Sequence, residues 1–189
     1  MPLVNGRILL DRIQEKRVLA GAFNTTNLET TISILNAIER SGLPNFIQIA
    51  PTNAQLSGYD YIYEIVKRHA DKMDVPVSLH LDHGKTQEDV KQAVRAGFTS
   101  VMIDGAAFSF EENIAFTQEA VDFCKSYGVP VEAELGAILG KEDDHVSEAD
   151  CKTEPEKVKT FVERTGCDML AVSIGNVHGL DDKIGRAHV

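Results

Sequence analysis

The chain has 189 residues, 43% of them hydrophobic, and a formal charge of −10, which is length enough for one domain with a packed core. The acidic balance, with no Lys/Arg-rich block, argues against nucleic acid or an anionic membrane as the main partner. No apolar run approaches the ~20 residues of a spanning helix, and the opening Met1-Pro2-Leu3-Val4-Asn5-Gly6 lacks the basic and apolar regions of a signal peptide. Three widely spaced cysteines, Cys124, Cys151 and Cys167, read as free thiols of a reducing cytoplasm.

In chain order, the pattern predicts a strand over 20–25, a helix over 28–41 ending at Gly42, a strand over 45–51 and a helix over 58–72. A long strand follows over 75–83. Thr86 with Asp89 three positions later opens a helix that carries Val90, Ala93 and Val94 on one face and closes on Gly97. A strand over 100–105 comes next, then a helix from Ser109 and Glu112 to Gly128, and a strand over 129–136. Thr153 and Glu156 open a further helix that Gly166 closes, before a strand over 169–175. Strict alternation of strand and helix implies a parallel sheet.

Strand parity separates an open doubly wound sheet from a barrel. Val77, Leu79 and Leu81 share one face of the third strand, and Ser78, His80 and Asp82 the other; Val131, Ala133 and Leu135 likewise oppose Glu132 and Glu134. A sheet covered by helices on both sides wants apolar residues on both faces. A polar face therefore points to the inside of a (β/α)8 TIM-type barrel near its mouth. Such a barrel needs eight units and ~250 residues, so this α/β chain, with six units, carries an incomplete one. The domain reading is a partial barrel over 1–182 and a non-native tail over 183–189, because Lys183-Ile184-Gly185-Arg186-Ala187-His188-Val189 is encodable by a common sequencing-adaptor string.

The chemistry concentrates where strands end. Asp82 and His83 follow Leu79-His80-Leu81 and precede Gly84, Asp104 precedes Gly105, Glu134 follows Glu132, and His178 lies between Gly175 and Gly179. Neighbouring strand residues point to opposite faces, so Asp82 and His83 reach one pocket only if the strand ends or bulges there, which Gly84 permits. A neutral imidazole suits zinc, and a carboxylate beside a metal can act as general acid or base. Asp104 and Glu134 are either ligands of a second metal position or groups that hold His83. Glu132 and Glu134 could also be an inward pair satisfied by Lys or Arg. His69 reads as a solvated helix residue, His80 as a packed interior residue, and Glu142-Asp143-Asp144-His145 as an exposed acidic loop. There is no P-loop, G-x-G-x-x-G or C-x-x-C.

At these residues the chain resembles the class II, zinc-dependent ketose-bisphosphate aldolases, which include the fructose- and tagatose-1,6-bisphosphate enzymes. The resemblance rests on Ala22-Phe23-Asn24, on Val75 through Gly84, on Gly97 through Gly105, on Phe110-Glu111-Glu112-Asn113, on Val131 through Gly136, on Glu142-Asp143-Asp144 and on Gly175 through Gly179, in order over about 3–181. It implies that Asp82 is the catalytic acid/base and that His83 and His178 are two of three Zn2+ ligands. Asp104 and Glu134 would form the alternative metal position. Gly179 would belong to the dihydroxyacetone-phosphate site, and Asn24 would contact substrate.

The implied reaction is reversible cleavage of a ketose 1,6-bisphosphate, or a related ketose phosphate, to dihydroxyacetone phosphate and an aldehyde such as glyceraldehyde 3-phosphate. This is cytoplasmic, glycolytic carbohydrate chemistry without a lysine Schiff base. The implied partner is a small sugar phosphate, and the full-length parent would be a homodimer or homotetramer. The family's third zinc histidine, on a seventh strand, has no counterpart here, so the resemblance implies that the chain itself is inactive. At Ile49-Ala50-Pro51-Thr52 many relatives carry a serine, a departure that bears on the substrate. Two rival readings are a non-catalytic metal-binding protein derived from an aldolase and a metal-dependent TIM-barrel hydrolase. The first strand carries no His-x-His pair for the latter.

Overall fold

The computed structural model describes residues 2–142, 145–147, 152–175 and 177–178. Six strands form one all-parallel sheet: β1 (Ala22–Asn24), β2 (Asn45–Ile49), β3 (Val77–Gly84), β4 (Ser100–Ile103), β5 (Val131–Leu135) and β8 (Met169–Val172). Their spatial order is β1-β2-β3-β4-β5-β8, the order of the chain. A doubly wound sheet reverses its order at a switch point; this one never does, and it forms a half-barrel.

The helices between the strands are α2 (Leu28–Ser41), α3 (Pro51–Ser57), α4 (Tyr59–Ala70), α5 (Gln87–Ala96), α6 (Phe110–Lys125) and α7 (Pro155–Thr165), with α1 (Gly6–Lys16) ahead of the first strand. Thr86 with Asp89 and Ser109 with Glu112 form reciprocal capping boxes, as their spacing predicts. A third box, Asn27 with Thr30, opens α2.

The two faces of the sheet separate as strand parity requires. On the convex side Ile47, Ile49, Leu79, Leu81, Val101 and Ile103 are buried in one cluster with Leu35, Ile38, Ile62, Val66, Val90 and Ala93 of the helices. On the concave side Ser78, His80, Asp82, Ser100 and Glu134 are buried polar residues.

The floor of the concave side is closed by α1, which the sequence reading did not predict. Leu9 and Ile13 of α1 pack with Phe46 of β2, and Met169 of β8 joins the same cluster. The helix thus bridges strands at opposite sides of the half-barrel. Gly6 allows this approach: a Cβ there would lie 2.9 Å from the Ser100 Cβ and 3.1 Å from the Pro130 Cγ.

Several local expectations are corrected. The second strand stops at Ile49 rather than residue 51, because Pro51 starts α3 at a position where its missing N–H costs nothing. Glu142 and His145, read as parts of a loop, lie at the ends of two paired strands. These strands, β6 (Leu139–Glu142) and β7 (His145–Ser147), are antiparallel, and β6 pairs in parallel with β9 (Val177–His178). Asp143, Asp144 and Cys151 lie outside the described residues, as do Gly179 and the tail over 183–189. Cys124 and Cys167 are free and buried, and burial lifts the Cys124 thiol to about 12. Among the described residues no helix is long and apolar enough to cross a membrane.

Thr153 is the clearest correction. It does not cap α7, whose N-cap is Glu154 without a side-chain bond. Its hydroxyl instead donates to the Leu135 carbonyl and accepts from the Ser173 N–H, tying the ends of β5 and β8 together. Thr153→Ala is expected to cost about 1–2 kcal/mol in urea unfolding, and Thr153→Ser to recover most of it. Equal losses in the two variants would rule out the hydroxyl link.

Candidate metal centre

The site is built by an irregularity at the end of β3. Leu81 pairs with Val101, and the next recorded partners are Gly84 and Ile103, so three steps along β3 oppose two along β4. This is a β-bulge. The residue that absorbs it is His83, in the left-handed region with φ 46°, where a non-glycine costs roughly 1–2 kcal/mol. The expectation that Gly84 supplies the unusual backbone is therefore corrected. Gly84 supplies proximity, since a Cβ there would sit 2.6 Å from the Met102 carbonyl oxygen. With the alternation broken, Asp82 and His83 both turn into the mouth, and His83 Nε2 lies 4.0 Å from Asp82 Oδ1.

Two further strand ends converge there. His83 Nδ1 lies 3.1 Å from Asp104 Oδ2 and 3.7 Å from Glu134 Oε2. One ligand atom from each of His83, Asp104 and Glu134 falls within 4.8 Å of the others. Glu134 is 1% exposed, and its Oε2 has no hydrogen-bond partner. A buried carboxylate oxygen without a donor is costly, and a cation would satisfy it. One nitrogen and two oxygen donors form a set that zinc and its neighbours accept, so the residues present fit a divalent ion. Among the described residues the ion pairs of Glu132 and Glu134 are with His80 and His83, not with the Lys or Arg of a bland inward pair.

Asp82 is held from the other side. Asn24 Nδ2 donates to Asp82 Oδ2 at 2.7 Å, and Gln48 Nε2 donates to Asn24 Oδ1 at 2.8 Å. Gln48 thus fixes which way the Asn24 amide points, with its N–H toward Asp82. Asp104 Oδ1 accepts from the Ala106 N–H, and Asn113 of α6 donates to the Glu134 carbonyl.

The electrostatics follow from burial. Desolvation, then the Asp104 charge, lifts Glu134 to about 7, with His83 pulling the other way. Desolvation, then the Asp82 charge, lifts Glu132 to about 7. Burial, then His83, lowers His80 to about 3.

The family model for class-II fructose-bisphosphate aldolase matches residues 4–186. The chain belongs to the class II fructose-bisphosphate aldolase family. It is 41% identical over 182 residues to a Bacillus subtilis protein named "Probable fructose-bisphosphate aldolase", covering 95% of this chain and 64% of that protein. It is 40% identical to a fructose-bisphosphate aldolase of Staphylococcus aureus, with the same coverage. Among solved structures it superposes on the YdjI aldolase of Escherichia coli K12 with a TM-score of 0.81 at 36% identity, over 95% of this chain and 63% of that one. The chain thus spans about 64% of the length of the curated relatives it matches.

Of the residues singled out from the aldolase resemblance, Asp82, His83, Asp104, Glu134 and Asn24 come together in one mouth. His178 is described in its backbone, where β9 pairs it with Gly140, while Gly179 lies outside the described residues. Gln48 escaped the sequence reading, and Asn113 entered it only as part of a family motif, with no role assigned. Gln48 is the one polar residue inside Phe46-Ile47-Gln48-Ile49, and its place on the rung of Asn24 and His80 needs the sheet register.

Two measurements test this picture. In metal-free protein, Glu132 and Glu134 hold protons up to about pH 7, against 4.5 for an unperturbed glutamic acid. The folded state therefore binds more protons than the unfolded one in that window, and stability rises as pH falls from 8 to about 6.5. Below 6.5 His80, neutral in the fold down to about 3, begins to oppose this because the unfolded imidazole charges first. Urea midpoints that fall between pH 8 and 6.5 would contradict the buried acids. Gly84→Ala is expected to destabilise the fold by more than about 2 kcal/mol through the Met102 clash; an unchanged midpoint would show that the backbone yields.

Proposed function

We propose that the chain carries the metal-and-base half of a zinc-dependent ketose-bisphosphate aldolase. The reaction is aldol cleavage or condensation of a ketose 1,6-bisphosphate, or a related ketose phosphate, giving dihydroxyacetone phosphate and an aldehyde such as glyceraldehyde 3-phosphate. The observation that carries the reading is the convergence of His83, Asp104 and Glu134 beside Asp82.

His83 and His178 would hold Zn2+ in its working position, and Asp104 and Glu134 an alternative one. When bound, the ion supplies a Lewis acid for the negative charge that develops as the carbon–carbon bond breaks. Asp82 is the acid/base: it takes the C4 hydroxyl proton on cleavage and returns it on condensation. Its Oδ2 accepts from Asn24, and its Oδ1 lies 4.0 Å from His83 Nε2. Asn24 and Gly179 would contact substrate. The full-length parent would work as a homodimer or homotetramer on a small sugar phosphate in the cytoplasm.

This chain is expected to turn over poorly by itself. A catalytic zinc usually has three protein ligands and an open position, and the chain offers two imidazoles for it. Assayed with and without Zn2+, the purified chain is expected to cleave fructose 1,6-bisphosphate at least roughly 100-fold more slowly than a full-length relative. Rates near that relative's would end the argument from ligand number. The same share of relatives' length supports a second reading, metal binding without catalysis. Zn2+ binding that His83→Ala weakens at least roughly tenfold, with no cleavage under any condition, would favour it.

A further inference from the structure

The first turn of α6 reaches in between two strand ends that carry candidate ligands. Asn113, 3% exposed, donates from Nδ2 to the Glu134 carbonyl at 2.8 Å. Its Oδ1 accepts from the hydroxyl of the fully buried Thr117 at 3.1 Å, which settles the orientation of the amide. On its other side is Gly105, directly after Asp104. A Cβ on Gly105 would lie 2.7 Å from the Asn113 Cγ.

The bond to Glu134 has a definite place in the sheet. The Pro130 carbonyl accepts from the Val101 N–H of β4. Alternate carbonyls of a strand face the same neighbour, so the Glu134 carbonyl also faces β4. The two strands pair as far as Ile103 and Ala133, which leaves that carbonyl one step beyond the ladder. The Asn113 amide stands there in place of a β4 N–H. Satisfying a buried carbonyl is a stabilising role by itself, but this one belongs to a residue whose carboxylate completes the His83 cluster.

We propose that Asn113 is a positioning residue for the cation site: by tying the Glu134 backbone to the place where β4 ends, it fixes the Glu134 carboxylate relative to Asp104 and His83. The proposal rests on the cation-binding reading of that cluster. Metal–ligand distances hold to within roughly 0.2 Å, whereas ordinary thermal displacement is about 0.5 Å per axis. A ligand carried at a strand end therefore needs its backbone held, and α6 holds it. Thr117 acts one step further out, through the amide it orients.

The test is a Co2+ titration of the 189-residue chain, read by visible absorption and by calorimetry. Asn113→Ala removes the donor and is expected to weaken Co2+ binding about tenfold. Gly105→Ala pushes the amide off the carbonyl from the other side and is expected to lose a similar factor. Glu134→Ala removes the group being positioned, so adding Asn113→Ala to it is expected to cost no further affinity. A role confined to satisfying a buried carbonyl would lower the urea midpoint and leave the Co2+ affinity of the folded protein where it was.

Unchanged affinity in folded Asn113→Ala overturns the proposal, as does an equal loss from Asn113→Ala with and without the Glu134 carboxylate. Urea unfolding establishes which variants are folded; if Asn113→Ala is not, Gly105→Ala decides by the same two outcomes. The unaltered chain supplies a readout independent of any variant. The NMR resonance of the Asn113 side-chain amide is expected to shift when Zn2+ is added, and an unmoved resonance overturns the proposal. His83→Ala separates the two ideas. Full Co2+ binding in that variant refutes the cation site itself, whereas loss of binding there with unchanged affinity in Asn113→Ala refutes this inference alone.

Discussion

At the top of β3, three backbone steps are set against two of β4, and the rest of the site depends on that mismatch. A regular strand would send Asp82 inward and His83 out under the helices. The bulge lets both turn into the mouth, at the cost of a left-handed histidine. That conformation persists because its surroundings over-determine it. The imidazole faces Asp104 and Glu134, and the following Gly84 lies so close to the Met102 carbonyl that no side chain fits. Strain of this kind gathers where function needs a side chain that regular structure would not deliver.

The same mouth concentrates acids that no folding argument favours. Asp82, Asp104 and Glu134 lie around one imidazole, with Glu132 on the same concave wall. Burial and nearby negative charge push Glu132 and Glu134 upward, an arrangement that costs stability where both must ionise. On the other side of the mouth, the amide relay from Gln48 through Asn24 aims an N–H at Asp82. One wall of the mouth thus gathers the candidate cation ligands, and the other holds the candidate base.

The polar interior of the half-barrel is tolerated because its two ends are closed differently. Below, α1 packs Leu9 and Ile13 against Phe46 and Met169 and closes the floor, where the buried His80 and Ser100 bond to each other. Above, β6 and β9 link the segments that follow β5 and β8, and Thr153 ties those same strand ends together. Between floor and rim, the helices bury the convex face in one large cluster. Among the described residues β1 and β8 are the outer strands of the sheet, with Phe23 and Val172 exposed on them.

Periodicity and capping were legible in the chain itself. The alternation of Val77, Leu79 and Leu81 with Ser78, His80 and Asp82 fixed which face would be polar, and hence a singly wound half-barrel. Local hydrogen-bond chemistry placed the starts of α5 and α6. The family motifs, too, are matters of residue identity and spacing. Three things were decided only in three dimensions. The roles of Gly84 and His83 were exchanged, because which residue takes positive φ depends on where β4 runs. Thr153 left its helix to bind two strand ends, because a hydroxyl takes whichever partners the packed sheet brings within reach. Gln48, Asn24, His80, Ser100 and Glu132 became neighbours through sheet register, a relation between segments far apart in the chain. Short-range energetics is written in sequence neighbours, whereas contacts across a sheet exist only once the strands have docked.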